Sequence, residues 1–201
     1  LGDVYKRQLY LLVEKSQKEI ADYLKIYGYF HAKVNTEIRP NYITKSWAII
    51  YRIKHGPQVK YQKVQIDFTQ PPIPRIHHWL FRHQPKIGHR YNANSYENFK
   101  EAFESFAKNT GYLDFKFLKH QLTINTQKNQ ATIKIAVDLG KRYRFGQIKL
   151  HQTAFENQFV EKYSPIHTQE FFNQNLVNQL QENLNSSHYF KSIAVDQEVK
   201  K

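Results

Sequence analysis

Apolar and polar positions change period along the chain, and each change marks an element. From Leu9 to Tyr27, Val13, Ile20, Leu24 and Tyr27 share one helical face with Gln17. Gly28 follows as a helix stop. Ala32 to Ile38 alternates, the pattern of a half-buried strand, and Pro40-Asn41 predicts a turn. Trp47 to Ile53 is a more continuous apolar run, which predicts a strand interior to a sheet.

Val59 to Phe68 is the next strand, and its phase slips between Tyr61 and Val64, as a bulge would make it do. Prolines 71, 72 and 74 interrupt the chain. Arg75 to His83 predicts a short helix with Ile76, Trp79 and Leu80 inward. Asn94 or Ser95 then caps a longer helix, where Tyr96, Phe99, Phe103 and Phe106 recur at three-four spacing and Glu97, Glu101 and Glu104 face out. Gly111 ends it. Phe115 to Ile124 and Ala131 to Leu139 read as two strands around a turn at residues 127–130. The order is β-α-α-β-β.

That order then recurs. Tyr143 to Leu150 predicts a strand, Glu156 to Tyr163 a short helix stopped by Pro165, and Thr168 a cap for a helix with Glu170 in its first turn. Phe172, Leu176, Leu180 and Leu184 form that helix's buried seam. Ile193 to Val195 begins another strand.

Two markers keep the same phase. Gly56-Pro-Gln-Val-Lys-Tyr-Gln-Lys-Val-Gln-Ile66 aligns with Gly140-Lys-Arg-Tyr-Arg-Phe-Gly-Gln-Ile-Lys-Leu150. Gly28-Tyr-Phe30 recurs as Gly111-Tyr-Leu113 and, more weakly, as His188-Tyr-Phe190. A period of this length predicts an array of similar modules. The units are residues 9–56, 57–140 and 141–201. The first lacks its opening strand and first helix, and the last lacks its closing strand. Residues 1–8 do not join the periodicity and are expected to be a foreign or disordered end.

The tandem β-α-α-β-β module resembles the POTRA domains of outer-membrane β-barrel assembly proteins. The carriers are Gly28-Tyr-Phe30, Gly111-Tyr-Leu113, Gly56, Gly140, Tyr61-Gln-Lys-Val64 and Phe145-Gly-Gln-Ile148. The resemblance covers residues 9–201. It is strongest to the three-POTRA translocation and assembly module subunits (the TamA family), and the module also occurs in two-partner secretion transporters and in the central assembly factor. It implies an α+β fold, each module a three-stranded mixed sheet on two helices. It implies a non-catalytic periplasmic arm ahead of an outer-membrane barrel that this sequence does not contain. The implied partners are that barrel, unfolded outer-membrane or secreted clients such as autotransporters, and an inner-membrane-anchored, TamB-like subunit.

Composition adds constraints. At 40% apolar and 15% aromatic residues, the chain can build real cores. It has no Cys, which excludes disulfides and thiolate metal sites. The net charge of +13 is spread: ten Lys/Arg against five Asp/Glu in residues 1–56, twelve against six in 57–140, eight against six in 141–201. Such a field admits acidic partners without selecting one.

The chemistry points to binding. There is no phosphate loop, nucleophile elbow or His-Glu-x-x-His motif. His77 and His78 are adjacent on a helix, about 100° apart, and make a poor joint ligand set. His167 and Glu170 sit at a predicted helix start, where capping accounts for the carboxylate. No cofactor, metal or catalytic residue is expected. An RNA-binding reading of the RRM type fits the charge and the aromatic Phe115-Lys-Phe117, but it requires β-α-β-β-α-β order and a glycine-aromatic motif that Arg142-Tyr-Arg-Phe-Gly146 does not supply.

The candidate site is therefore a sheet edge. In this order the fourth element commonly lies at the edge and the last pairs inward. The expected partner-binding residues are Ala32, Val34, Thr36 and Ile38 on one strand, and Phe115, Phe117, Lys119, Gln121, Leu122 and Ile124 on the other. A client strand could add there by β-augmentation, while Lys116, Lys119 and His120 deter aggregation.

Overall fold

The computed structural model describes residues 3–44, 46–148, 162–189 and 192–199, with side chains from Arg7 onward. Its elements are α1 (Asp3–Ile26), β1 (Lys33–Asn41), β2 (Ser46–Lys54), β3 (Lys60–Phe68), α2 (Pro74–His83), α3 (Ala93–Asn109), β4 (Lys116–Asn125), β5 (Gln130–Asp138) and α4 (Gln174–Ser186). They fall into two compact units. One comprises Leu1–Asp67, Trp79–Glu101 and Lys119–Ala136; the other comprises Phe68–His78, Ala102–Leu118 and Val137–Lys201.

In the first unit, α1 lies on the antiparallel β1–β2 hairpin, with Val34 opposite Ile53, Thr36 opposite Tyr51 and Ile38 opposite Ile49. Gln17 donates to the Thr36 hydroxyl at 2.6 Å. Pro40 and Asn41 belong to β1, where Pro40 faces Trp47, and the expected turn begins one residue later. The Asn41 side chain closes it by accepting from the N–H groups of Ile43 and Thr44. The helix continues back to Asp3, so the backbone of residues 3–8 is helical and not disordered.

The second sheet has the order β3-β5-β4. Lys60 N–H donates to Asn129 C=O, and nine residues on Thr69 N–H donates to Val137 C=O, so β3 runs parallel to β5. The four-residue connection to β4 makes a hairpin, and the sheet is mixed. The burial of Ala131, Ile133, Ile135, Val137 and Leu139 follows from a central position. In β3 the alternation breaks at the exposed Gln62 and Lys63, where the phase slip was expected. The α3 cap is Asn92, not Asn94 or Ser95: its side chain accepts from Ser95 N–H, three residues on, at 3.2 Å. Asn94 and Ser95 share the same capping chemistry, so side-chain type alone could not separate the three.

In the second unit, Ile166, Phe172, Val177, Leu180 and Leu184 form a cluster with half-buried Tyr143, Phe145, Ile193 and Val195. Here local expectations fail most. Residues 141–148 form only an isolated bridge, Arg144 to Phe171, and residues 192–199 form no strand. The strand end at residues 149–150 and the short helix from Glu156, up to residue 161, lie outside the described residues; Tyr163 is in a turn. Thr168 is not a cap. It precedes Gln169, which has φ of 70°, and the helix starts after Asn173, whose side chain accepts from Asn175 N–H at 3.1 Å.

The repeat in the sequence becomes a repeated joint. After α1, Gly28 N–H donates to Lys25 C=O and Tyr29 N–H to Leu24 C=O; after α3, Gly111 N–H donates to Lys108 C=O and Tyr112 N–H to Ala107 C=O. These are two copies of one Schellman stop, with the glycines at φ of 86° and 103°. Each glycine carbonyl then accepts from the next segment, Gly28 from Val59 and Gly111 from Tyr143. Val59 C=O accepts from Tyr91 as Tyr143 C=O accepts from Phe172; Tyr61 bonds to His89 and Gly88 as Phe145 bonds to Glu170 and Gln169.

Candidate functional site

β4 is the outer strand of its sheet. Burial along it reads as two phases. Phe117 faces inward with Phe115, whose ring lies 5.3 Å from that of Phe103, and Leu122 and Ile124 are half-buried, whereas Leu118, Lys119, His120 and Gln121 are all exposed. The inward set passes from odd to even positions across that exposed stretch, as a bulge permits. Leu118, at 58% exposure, is the apolar member of the exposed run. The strand contains no acidic residue.

Phe115 precedes the first residue of β4 and is buried, so its side chain serves the core. Ala32 likewise precedes β1. Val34, Thr36 and Ile38 are half-buried, with Thr36 bonded to Gln17. β1 and β4 thus each offer backbone along one edge, while their inward side chains are already engaged. The two sets lie on strands of different sheets. Glu37 on β1 carries Arg39 and Arg52 at 2.8 and 3.1 Å, and these hydrogen bonds hold its carboxyl below the usual value.

β2 departs from expectation. It was expected inside a sheet, yet among the described residues it pairs only with β1. Trp47, Ile49 and Ile53 remain 37%, 38% and 47% exposed. An apolar strand is buried only if a neighbour covers it, and the strand that β3 provides for β5 has no counterpart at β2.

A second feature was not singled out from the sequence. Arg142 and Arg144 place their guanidinium carbons 4.0 and 3.8 Å from the Phe171 ring centroid. Arg142 donates to Thr110 C=O at 3.0 Å, and burial, with Arg75 and Arg144 nearby, lowers its pKa. Tyr143 donates to Asp114 at 2.8 Å, a bond that raises the phenol's pKa. Asp114, Arg142 and Tyr143 border a cleft of about 570 Å³ with Lys116, Asp138, Gly140 and Lys141. The basic-aromatic run after Gly140 was the signal, but Phe171 lies 27 residues beyond Arg144, and only the fold joins them.

His77 and His78 are exposed, and the His77 ring packs near Phe68. His167 and Glu170 close a turn by two backbone-involving bonds. Among the described residues no group of three His, Cys, Asp or Glu is placed to hold a metal, and no helix is long and apolar enough to cross a membrane.

No protein-family model matches the sequence. Over 72 residues, 36% of the chain, it is 32% identical to outer membrane protein assembly factor BamA of Neisseria meningitidis serogroup B; that match spans 8% of the relative's length. Among solved structures it is similar to Haemophilus influenzae BamA POTRA3-5, with a TM-score of 0.51 and 16% identity, covering 90% of this chain and 71% of that one. The N-terminal domain of Omp85 from Thermosynechococcus elongatus also matches, at a TM-score of 0.38 and 16% identity, covering 92% and 76%. The chain has the α+β fold of tandem POTRA modules.

Proposed function

We propose that the chain is a periplasmic, non-catalytic binding arm of an outer-membrane protein assembly factor, and that it grips clients by strand addition along β4 and β1. The module fold and the local identity to BamA support the assembly role. The observation that carries the mechanism is the position of β4: an outer strand, acid-free, with four consecutive exposed residues. The finer assignment is a TamA-like subunit acting on autotransporters with a TamB-like partner, ahead of a barrel in the same protein.

Magnitudes suit a transient grip. Each added hydrogen bond nets about 0.5–1.5 kcal/mol, while ordering each client residue costs about 1–2 kcal/mol. A short added strand is therefore near balance, and handover stays possible. The test is site-specific photocrosslinking of an unfolded outer-membrane client to β4, with Leu122→Pro and Ile124→Pro variants. Proline removes a backbone donor at an edge that otherwise tolerates it. Reduced crosslinking in a variant that retains native circular dichroism is expected. Unchanged crosslinking in both folded variants would overturn edge addition.

A further inference from the structure

A second surface, made of side chains and not of backbone edge, lies at the end of α2 and the loop into α3. His83, Lys86, His89 and Arg90 line one cleft of about 300 Å³, floored by Tyr61, Pro85 and Phe99. Arg82 is exposed next to it in sequence. Two apolar side chains of the same stretch of sequence are exposed, Phe81 at 77% and Ile87 at 65%. From Trp79 to Tyr96 the chain has no Asp or Glu. The first acid beyond, Glu97, is held by Lys100 at 2.7 Å. No ion pair of Arg82, Lys86 or Arg90 occurs among the described residues.

Exposed apolar residues rimmed by charge of one sign mark an interaction surface. The concavity fits side chains reaching inward, and the charge selects carboxylates. We propose that this cleft docks an acidic segment of a partner protein, with carboxylates on Lys86 and Arg90 and an apolar residue against Phe81 or Ile87. A bilayer would need the same charges on a convex face; here they surround a hollow.

The probe is a fluorescent twelve-residue peptide of alternating Glu and Phe, titrated by anisotropy against the 201-residue chain. Its charge-reversed Lys/Phe counterpart and phosphatidylglycerol vesicles are run in parallel. The acidic peptide should bind, and binding should weaken as salt rises. The double variant Lys86→Glu/Arg90→Glu should weaken it about tenfold or more, since two attractions become repulsions. Lys128→Glu, in the β4–β5 turn, should leave it within about twofold. All three proteins are first matched by circular dichroism, and the substituted side chains are exposed. Equal affinity of wild type and the double variant, binding of the Lys/Phe peptide alone, or binding to vesicles without binding to the acidic peptide would each overturn the proposal. Leu122→Pro should not affect this peptide, which separates this surface from the strand edge.

Discussion

β2 and β5 take equivalent places in the repeated sequence pattern, each ending before a left-handed glycine, and they end up differently. Each closes a hairpin, and each is followed by a left-handed glycine packed on an equivalent residue: Gly56 on His31, Gly140 on Asp114. Their apolar content is similar. β5 has neighbours on both edges and buries four alternating residues, whereas among the described residues β2 has one neighbour and leaves three large apolar residues over a third exposed. Strand pattern alone therefore states a capacity for burial, and the second neighbour realises it.

The most forceful way to break the comparison is truncation at matched sites. Ile135→Ala in β5 removes a side chain 1% exposed and should cost about 2–5 kcal/mol, whereas Ile49→Ala in β2, at 38% exposure, should cost under about half of that. Urea unfolding of the two variants checks this; equal losses would mean that β2 is covered in solution.

The next contrast is at the two glycines. A Cβ on Gly140 would lie 2.8 Å from Asp114 Cβ, against 3.3 Å from His31 Cβ at Gly56, with φ of 67° and 70°. Gly140→Ala should therefore destabilise by about 1–3 kcal/mol, and by more than Gly56→Ala. Thermal melts of both variants would show the order.

The third copy of the helix stop sharpens the comparison from the other side. His188 takes φ of 58° where Gly28 and Gly111 stand in the earlier copies. His188→Gly should relieve that conformation and stabilise by up to about 1 kcal/mol, seen as slower amide exchange at the end of α4.

The smallest effect is electrostatic. Because the folded-state pKa of Glu37 is lowered by Arg39 and then Arg52, its contribution is present above the unfolded glutamate value, about 4.3, and is lost as pH falls through the lower folded value. Acidification should therefore shift the β1 and β2 amide resonances that report Glu37 only below the ordinary glutamate range, and Glu37→Gln should abolish that shift.

Within this protein, periodicity and punctuation sufficed where an element is specified by its own residues. The three-four spacing of Tyr96, Phe99 and Phe103 placed α3, and the glycine markers placed two identical helix stops and, through them, the joint. β4 at an edge followed from element order. Cap choice was not resolved, because Asn92, Asn94 and Ser95 share the same local chemistry and only the loop's path selects Asn92. Thr168 failed for the same reason, since Asn173 takes the cap. Phe115, an edge candidate by pattern, packs its ring on Phe103 in the core. The exposure of β2, the Arg142–Arg144–Phe171 stack and the hollow beside Lys86 were decided by tertiary structure alone. Each depends on which distant segment supplies, or does not supply, a neighbour, and local side-chain pattern does not encode that.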